Sequence, residues 1–458
     1  MCGVFGAFAR SGKLLLEDIY LGLFALQHRG QEAAGVAWIG PDGTLQSFKG
    51  MGLVHEALDQ KRLSQITARG AIGHVRYSTS GASIITNAQP LTANYAKGPV
   101  AISHNGNITN AESIRLYLEN RGAIFQSTTD TEVIIHLMAH QSHKAPLDAL
   151  IDALERLNGA YSLAVLFKDA LVAARDPWGF RPLILGRRDD TYYVASESCA
   201  LDLIGAEVIR DVEPGEVVVI NDDGLSSLRI PLKAKRHRFC SFEYVYFARP
   251  DSIIDGRCVY IARKEMGRRL AAASPCSRAQ LVTDMPDSGT IAATGYADAS
   301  GLPYERTIVR NRYVGRTFIQ PTQKVRELGV QIKLNPMREV IDGKSLVVVD
   351  DSIVRGTTVA KVVSMMRKCG AREIHMRISS PPVRFPCYYG IDTPTRQELA
   401  AARFASLEEL RSSIEVDSLA YLKESDLVAA IGMPRDELCL ACFNGEYLEE
   451  GNEGGFEL

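Results

Sequence analysis

The stretch VVVDDSIVRGTT, residues 347–358, joins a run of valines directly to two aspartates and then to an arginine, a glycine and two threonines. A short, continuous, β-branched run predicts a strand that is buried on both faces. After the loop, Val359, Val363 and Met366 recur at helical spacing, and EIHMRIS, residues 373–379, follows as a further strand. This alternation of strand, helix and strand predicts a parallel sheet in the second half of the chain.

The two aspartates fall where such sheets bind ligands. Ligands of open α/β sheets lie beyond the carboxyl ends of the strands, where Asp350 and Asp351 are expected. The following residues, 355–358, offer a flexible glycine, two hydroxyls and a helix N-terminus, which together favour a phosphate. We therefore expect the carboxylates to face ribose hydroxyls or Mg²⁺ and the loop to surround a phosphate. An ordinary strand-to-helix turn with a threonine N-cap fits the same string.

The composition is that of an ordinary soluble globular protein. With 458 residues, 46% of them hydrophobic and 23% charged, the chain is long enough for two or three domains. A formal net charge of −2 argues against a general nucleic-acid or membrane-surface binder. Because there is neither a membrane-length apolar run nor a secretory signal pattern, we expect a cytoplasmic protein. Its nine cysteines should then be thiols with individual roles and not a disulfide framework.

The first half of the chain has a different pattern from the second. Short β-type runs are separated by Gly-rich turns, and helical spacing extends over Thr129–His140, which indicates a layered α+β domain. This pattern ends near residue 230, and a basic stretch at 231–239 resembles a linker. The last residues, 443–458, form an acidic, Gly-rich tail.

The second residue is a candidate nucleophile. If Met1 is removed, Cys2 becomes the first residue, and its own α-amine, with a typical pKa of about 7.7–8.0, can accept the thiol proton. We expect maturation to need nothing beyond that removal. Taken alone, a cysteine at this position fits a buried structural thiol better than a nucleophile.

The motifs around Cys2 carry a family resemblance. They are, in chain order, CGVFGAF (2–8), LQHRGQEAAG (26–35), GHVRYSTSG (73–81), SHNGNITN (103–110) and TTDTEVI (128–134). Together they resemble the glutaminase domain of the N-terminal-nucleophile amidotransferases, whose fold is an αββα sandwich. Taken singly, each string has a simpler interpretation, such as a turn for HNGN.

This resemblance implies a chemistry and a residue for each role. Cys2 would attack the side-chain amide of glutamine, form a γ-glutamyl thioester and release ammonia. The side chain of Asn105 and the backbone N–H of Gly106 would stabilise the oxyanion. Arg76 would bind the α-carboxylate of glutamine and Asp130 its α-amine.

The string at 347–358 resembles the ribose-phosphate signature of type I phosphoribosyltransferases, and it lacks the Walker pattern of nucleotide triphosphatases. Apart from the tail, nearly the whole chain is similar to the glutamine phosphoribosylpyrophosphate amidotransferases. This implies a glutaminase domain at 2–232, a phosphoribosyltransferase domain with a parallel sheet at 233–442, and internal transfer of ammonia to 5-phosphoribosyl 1-pyrophosphate (PRPP). The product would be 5-phosphoribosylamine, in the first committed step of purine synthesis. The implied PRPP-binding residues are Asp350, Asp351, Ser352, Arg355, Gly356, Thr357, Thr358, Arg316 and Lys333.

Two further features of the second half follow from this resemblance. Residues 311–336, rich in charged and polar side chains, would be a lid over the pyrophosphate with Arg316 and Lys333 as charge partners, although a solvated loop and helix face fit as well. In DMPDSGT (284–290), Ser288 would join Asp350 and Asp351 around Mg²⁺, in an alignment that can slip by one residue.

The resemblance also assigns cysteines to a cofactor. A C-x-x-C pair alone fits a redox site, zinc or neither. The branch of the family with an iron–sulfur cluster has cysteines at four positions, all of which are cysteine here, and four thiolates suit a [4Fe–4S] cluster, with tetrahedral zinc as the alternative. These positions are Cys240, Cys387, Cys439 and Cys442. We expect a structural role for the cluster.

The assembly and the regulation are also implied by resemblance only. The family suggests a homotetramer inhibited by purine nucleotides, with glutamine and PRPP as substrates and neither nucleic acid nor membrane as a partner. One alternative is a related amidotransferase such as a glucosamine-phosphate synthase, which the string at 347–358 argues against. The other is a non-catalytic PRPP-sensing regulator, which would be expected to lose Cys2 and to carry a basic module.

Overall fold

The computed structural model describes residues 1–78, 81–141, 143–231, 237–311, 313, 333–393 and 395–448. In the first half, two antiparallel sheets of seven and six strands face each other. In spatial order the strands of the first sheet are Glu207–Asp211, Ile184–Arg188, Thr191–Ala195, Gly3–Ala9, Gly70–Arg76, Ala33–Ile39 and Leu45–Met51. Those of the second sheet are Gly224–Arg229, Glu216–Asn221, Leu171–Arg175, Gly159–Phe167, Gly98–Ile108 and Leu91–Tyr95.

Helices cover the outer faces of both sheets. Side chains of the two sheets, among them Phe8, Ile72 and Leu166, form a shared core between them. The helices on the outside of the first sheet include Leu16–Ala25, Val54–Ala57, Gln60–Leu63 and Ser198–Leu203. Those outside the second are Ala111–Glu119, Glu132–His140 and Pro146–Glu155. This layering is the αββα sandwich expected from the sequence.

The second half is built on a parallel sheet, as the alternating pattern predicts. Its strands, in spatial order, are Leu281–Asp284, Ser345–Asp350, Glu373–Ile378 and Ser418–Tyr421. The helices of this half are Val259–Ala273, Thr290–Ser300, Arg338–Ile341, Thr357–Lys368, Ala400–Arg403, Leu407–Ser413, Glu424–Ile431 and Ala441–Asn444. A π-helical turn spans Glu243–Phe247, and 3-10 turns span Gln27–Arg29, Ile85–Asn87, Arg396–Glu398 and Arg435–Glu437.

Short strand pairs complete the described structure. They are Leu14–Leu15 with Thr67–Ala68, Phe239–Cys240 with Leu438–Cys439, Ile253–Ile254 with Arg257–Cys258, and Ile308–Arg310 with Leu334–Pro336. The predicted domain boundary at 232/233 and the residues of the tail from 449 onward lie outside the described residues. Among the residues that the structure describes, no helix is long and apolar enough to cross a membrane.

The opening stretch folds as its pattern predicts. The strand Ser345–Asp350 is buried along its whole length between two parallel neighbours. The helix Thr357–Lys368 then buries Val359, Val362, Val363 and Met366. The other predicted helix, Thr129–His140, begins three residues later than its pattern suggests, at Glu132. The Asp130 carboxylate instead accepts the backbone N–H of Ile108, at 2.9 Å, which holds this segment against the neighbouring strand.

Candidate functional site

The two facing sheets bring Cys2 next to Asn105. Cys2 precedes the strand Gly3–Ala9, and Asn105 lies in the strand Gly98–Ile108 of the other sheet. The Cys2 backbone N–H donates to Asn105 Oδ1 at 3.1 Å, and the Cys2 thiol donates to the Tyr77 carbonyl oxygen at 3.4 Å. Asn105 Oδ1 accepts this hydrogen bond, which leaves the Nδ2 amide group of the same side chain as a donor. Asn105 Nδ2 is buried and has no hydrogen-bond partner among the described residues. A donor aimed at no partner is what an oxyanion site requires.

The next residue along the strand must be glycine. A Cβ on Gly106 would lie 2.0 Å from the Ala160 carbonyl oxygen, which no side chain tolerates. The backbone of Gly106 therefore packs directly against the strand Gly159–Phe167. This close approach fixes the peptide beside Asn105.

The two residues predicted to bind glutamine are buried in the same region. Arg76 is the last residue of the strand Gly70–Arg76 and is 3% exposed. Its guanidinium donates to the carbonyl oxygens of Asn87 at 3.1 Å and Ala82 at 3.3 Å. Asp130 accepts from Ile108 N–H and from the Thr131 hydroxyl, the latter at 3.2 Å. Burial alone would raise the pKa of Asp130, but His104 and these donors lower it. A buried cation and a buried carboxylate suit the two ends of a free amino acid.

Two groups of buried charges are absent from the sequence prediction. The first is His104, adjacent to Asn105, whose Nδ1 lies 2.9 Å from Thr131 Oγ1 and 3.7 Å from Asp130 Oδ1. Burial lowers the pKa of His104, but Asp130 outweighs that effect and raises it. Its position inside the motif SHNGNITN was a usable signal.

The second group is centred on Arg29. Its Nε donates to the Cys2 carbonyl oxygen at 2.9 Å, and its terminal nitrogens contact Glu243 at 2.9 Å and 3.1 Å. Arg29 also pairs closely with Glu197, and all three side chains are fully buried. Burial lowers the pKa of the Arg29 guanidinium, but the two carboxylates have the larger effect and raise the pKa above its ordinary value. Glu243 belongs to the second half of the chain, so this cluster connects Cys2 to that half.

The acidic pair of the second half lies at the carboxyl end of the central strand. Asp350 and Asp351 are 7% and 5% exposed, and the Asp351 backbone N–H donates to Asp350 Oδ1 at 2.9 Å. Burial first, and then the neighbouring Asp351 carboxylate, raises the pKa of Asp350 well above its ordinary value. The Ser352 hydroxyl donates to Asp351 at 2.5 Å.

The loop with Ser288 packs against this acidic pair. Gly289 is the point of contact, since a Cβ there would lie 2.3 Å from the Val349 carbonyl oxygen and 3.1 Å from Asp350 Cα. Ser288 is half-buried in the turn before the helix Thr290–Ser300. The loop that contains Ser288 therefore lies against the strand end at Asp350 through Gly289.

The predicted phosphate loop follows Asp351 directly. Gly356 has a left-handed backbone, with φ of 79°, as the N-cap of the helix Thr357–Lys368. Arg355, Thr357 and Thr358 are exposed there, so the first turn of the helix is open to a ligand. Lys333 directly precedes the strand Leu334–Pro336, which pairs with Ile308–Arg310, and its carbonyl oxygen accepts the Asn311 N–H at 2.9 Å. Arg316 and most of the residues predicted to form a lid lie outside the described residues.

The four predicted cluster cysteines come together at the junction of the two halves. Cys240 and Cys439 are register partners in the parallel pair Phe239–Cys240 and Leu438–Cys439. The Cys442 carbonyl oxygen accepts from Arg384 N–H at 2.9 Å, which brings in the segment that contains Cys387. Burial raises the pKa of the Cys240 thiol to about 11, against the opposing effect of the Arg181 guanidinium.

The donor set of these four thiols bears on which metal group they could hold. Cys442 interacts electrostatically with each of the other three thiols. Within the described ranges, however, no group of three or more His, Cys, Asp or Glu side chains could hold one metal ion. In a zinc site four thiolates would surround one ion at about 2.3 Å. A [4Fe–4S] cluster is likewise held by four thiolates, so the donor set fits a cluster and keeps zinc as the alternative.

The chain is similar to proteins of known activity. A family described as a glutamine amidotransferase domain matches residues 74–203. Amidophosphoribosyltransferase 1, chloroplastic, of Arabidopsis thaliana is 48% identical over 447 residues, which cover 97% of this chain and 78% of that protein. The amidophosphoribosyltransferase of Bacillus subtilis is 47% identical over 455 residues, 98% of this chain and 94% of that one. A solved structure, the glutamine PRPP amidotransferase from B. subtilis complexed with ADP and GMP, has a TM-score of 0.91 at 46% identity and covers 99% of both chains.

Proposed function

Because this chain belongs to the amidophosphoribosyltransferase family, we propose that it performs that family's reaction with the residues described above. It converts PRPP, glutamine and water to 5-phosphoribosylamine, glutamate and pyrophosphate, in the glutamine-dependent first step of purine biosynthesis. The geometry of Asn105 supports a glutaminase site beside Cys2. Its Oδ1 accepts the Cys2 N–H, and its Nδ2 is a buried donor without a partner in the described structure.

In the proposed glutaminase step, Cys2 is the first residue after Met1 is removed. The α-amine that this removal frees on Cys2 has a typical pKa of about 7.7–8.0, so it can accept the thiol proton. The thiolate attacks the amide carbon of glutamine, and Asn105 Nδ2 with the Gly106 N–H stabilises the oxyanion. Collapse of the intermediate releases ammonia and leaves the thioester, which water hydrolyses to glutamate.

Recognition of free glutamine uses the two buried charges beside this site. Arg76 binds the α-carboxylate, and Asp130 binds the α-ammonium group. The lowered pKa of Asp130 supports this role, because the carboxylate stays ionised at neutral pH. A peptide-bound glutamine has neither free end, so we expect it to be rejected.

The second half accepts the ammonia at C1 of the ribose. Asp350 and Asp351 bind the ribose hydroxyls, and residues 352 and 355–358 surround the 5-phosphate at the helix N-terminus. Free ammonia is mostly protonated at neutral pH, which favours an enclosed transfer. Arg316 and Lys333 would cover the pyrophosphate from the lid.

Mg²⁺ fits the acidic pair by its donor set. Carboxylate oxygens are its preferred protein ligands, and it is commonly held by one or two carboxylates together with substrate phosphates. Asp350 and Asp351, with Ser288 in the loop that packs on them, would hold it. When bound, the ion would neutralise charge on the departing pyrophosphate.

The four thiols at the junction would hold a [4Fe–4S] cluster with a structural role. Cys240 is buried and the other three cysteines are partly buried, and the Arg181 guanidinium places a positive charge near Cys240 and Cys387. We also propose a cytoplasmic homotetramer that purine nucleotides inhibit. The ADP and GMP in the related solved structure support the nucleotide part of this proposal.

The test follows pyrophosphate release with glutamine or with ammonium as the nitrogen donor. Cys2→Ala should lose the glutamine-driven reaction by roughly 10³-fold or more, as nucleophile removal does in other enzymes, and keep the ammonium-driven one. Cys369→Ala is the matched control, because Cys369 lies at the end of the helix Thr357–Lys368 opposite to the proposed phosphate site. Asp350→Asn should lose both reactions. Full glutamine use by Cys2→Ala would refute the nucleophile.

A further inference from the structure

A segment of the second half packs directly on the strand that carries Asn105 and Gly106. The Asn107 side-chain amide donates to the Tyr388 carbonyl oxygen at 2.9 Å. Arg181 Nε, fully buried, donates to the Tyr389 carbonyl oxygen at 2.9 Å. The Tyr389 ring stacks on Phe180 with centroids 4.2 Å apart. Residues 388–390, called the 388–390 segment below, are therefore held to the first half by three separate contacts.

The end of this segment lies against the proposed oxyanion site. A Cβ on Gly390 would lie 2.8 Å from the carbonyl carbon of Gly106 and 3.0 Å from its Cα. The Cα of Gly106 is thus confined on both sides, by Ala160 of its own sheet and by Gly390 of the other half, which also lies against the Gly106 carbonyl. Each contact is a backbone contact, so neither neighbour can rotate out of the way.

We propose that Gly390 is a positioning residue for the glutaminase reaction, because the 388–390 segment holds the Cα and carbonyl of Gly106 and thereby keeps the adjoining Gly106 N–H where it meets the oxyanion. This inference rests on the proposed function of Cys2 and Asn105. Oxyanion donors act only within a narrow distance of the developing charge, about 2.7–3.1 Å. A shift of a few tenths of an ångström at Gly106 therefore acts on the transition state more than on bound glutamine.

The first experiment compares Gly390→Ala with Gly98→Ala. Gly390 and Gly98 have nearly equal φ angles, 103° and 107°, but a Cβ on Gly98 meets nothing within 4 Å. The control therefore carries the backbone strain without the contact. Gly390→Ala should lower kcat with glutamine by about tenfold or more. This loss should be smaller than the roughly 10²–10³-fold loss of kcat that follows removal of a whole oxyanion donor. The ammonium-driven rate should be unchanged. Gly98→Ala should change neither rate.

The second experiment separates the oxyanion from the thiol. Glutamate γ-semialdehyde adds to the Cys2 thiolate: a C–S bond forms, the carbonyl π electrons move to oxygen, and that oxygen occupies the oxyanion position. Iodoacetamide alkylates the same thiolate by displacement of iodide, without an oxyanion. In Gly390→Ala the inhibition constant of the semialdehyde should rise by the same factor by which kcat falls, and the alkylation rate should match that of wild type.

A third variant covers the case in which Gly390→Ala does not fold. Asn107→Ala removes the hydrogen bond to Tyr388 and should shift the same two measurements in the same direction by a smaller factor. Equal losses of semialdehyde affinity and alkylation rate would overturn the proposal, as would glutamine kinetics of Gly390→Ala equal to those of Gly98→Ala. If Cys2→Ala retained glutamine use, the proposed function itself would fail. That failure is measured on the Cys2 variant and is therefore distinguishable from a failure of the proposal for Gly390.

Discussion

At the scale of single residues, the buried charges beside Cys2 must remain balanced for the fold to be stable. Arg29, Glu197 and Glu243 are fully buried, so each has lost its hydration. Loss of one member of such a cluster leaves another charge buried without a partner, which typically costs about 3–5 kcal/mol. Because Arg29 also donates to the Cys2 carbonyl oxygen, the same cluster fixes the backbone of the proposed nucleophile.

Glu197 gives this cluster a predictable dependence on pH. Burial alone would raise the pKa of Glu197, but His28 and Arg29 hold it well below its ordinary 4.5. A pKa lowered by folding adds stability above about pH 4.5, which is lost as the pH falls toward the folded pKa. Glu197→Gln should therefore lower the free energy of unfolding at pH 7 by about 3–5 kcal/mol and reduce its decline below pH 4.5.

The measurement is the urea midpoint of unfolding at pH 7, 5 and 4. Glu119→Gln is the control, because Glu119 is 47% exposed and its nearest ion-pair contact, with Arg115, is 3.8 Å long. An exposed pair of this kind contributes about 0–1 kcal/mol. A Glu197→Gln curve parallel to that of wild type at all three pH values would contradict the prediction.

At the scale of elements, the transferase site depends on how closely one loop approaches one strand. The loop before the helix Thr290–Ser300 lies over the end of the strand Ser345–Asp350. Gly289 permits this by the absence of a side chain and not by its conformation, since its φ of −77° is ordinary. Gly301, at the other end of the same helix, is glycine for the opposite reason, with a left-handed φ of 72° and open space around it.

This contrast gives a test of the transferase site. Gly289→Ala should push the loop away from Asp350, because the added methyl group overpacks the contact at a cost of about 1–3 kcal/mol. If this cost falls on PRPP binding, the KM for PRPP should rise by roughly tenfold or more, with glutamine and with ammonium alike. Gly301→Ala should lower stability by about 1 kcal/mol and leave the KM unchanged. Steady-state kinetics and thermal unfolding measure the two effects. An unaltered KM in Gly289→Ala would show that the loop does not form the PRPP site.

At the scale of the whole molecule, the four thiols join parts of the chain that are far apart in sequence. Cys240 lies at the start of the second half and Cys442 near its end, and Cys387 precedes the segment that contacts the first half. A cofactor held there would connect the end of the chain, the domain junction and the glutaminase site. Metal ligation of this kind contributes directly to the folded state.

Removal of one ligand should release the cofactor. Wild-type protein purified without oxygen should contain about four iron atoms per chain and show broad visible absorbance, as a [4Fe–4S] protein does. Cys442→Ala should contain less than about one and unfold at a lower temperature. Cys369→Ala, outside the group of four, is the control for both readouts. Colourless wild-type protein with one zinc ion per chain would exclude the cluster.

The sequence predicted those parts of the molecule that short strings encode. The valine run, the aspartate pair and the helix after Gly356 lie within about 20 residues, and the structure confirms their arrangement. The cluster around Arg29 and the contact of Asn107 with Tyr388 were not predicted. They join residues 214 and 281 positions apart, and nothing local distinguishes a glutamate that pairs across two domains from one on the surface. Such pairs are decided only when the two halves pack.

The position of Glu243 bears on how such two-part enzymes arise. Its carboxylate belongs to one half of the polypeptide, yet it neutralises a guanidinium inside the other. A glutaminase unit cut out by gene recombination would carry Arg29 with only part of its counter-charge. Any new fusion partner would then have to supply an acid at the same place, so these halves are less freely exchangeable than their separate folds suggest.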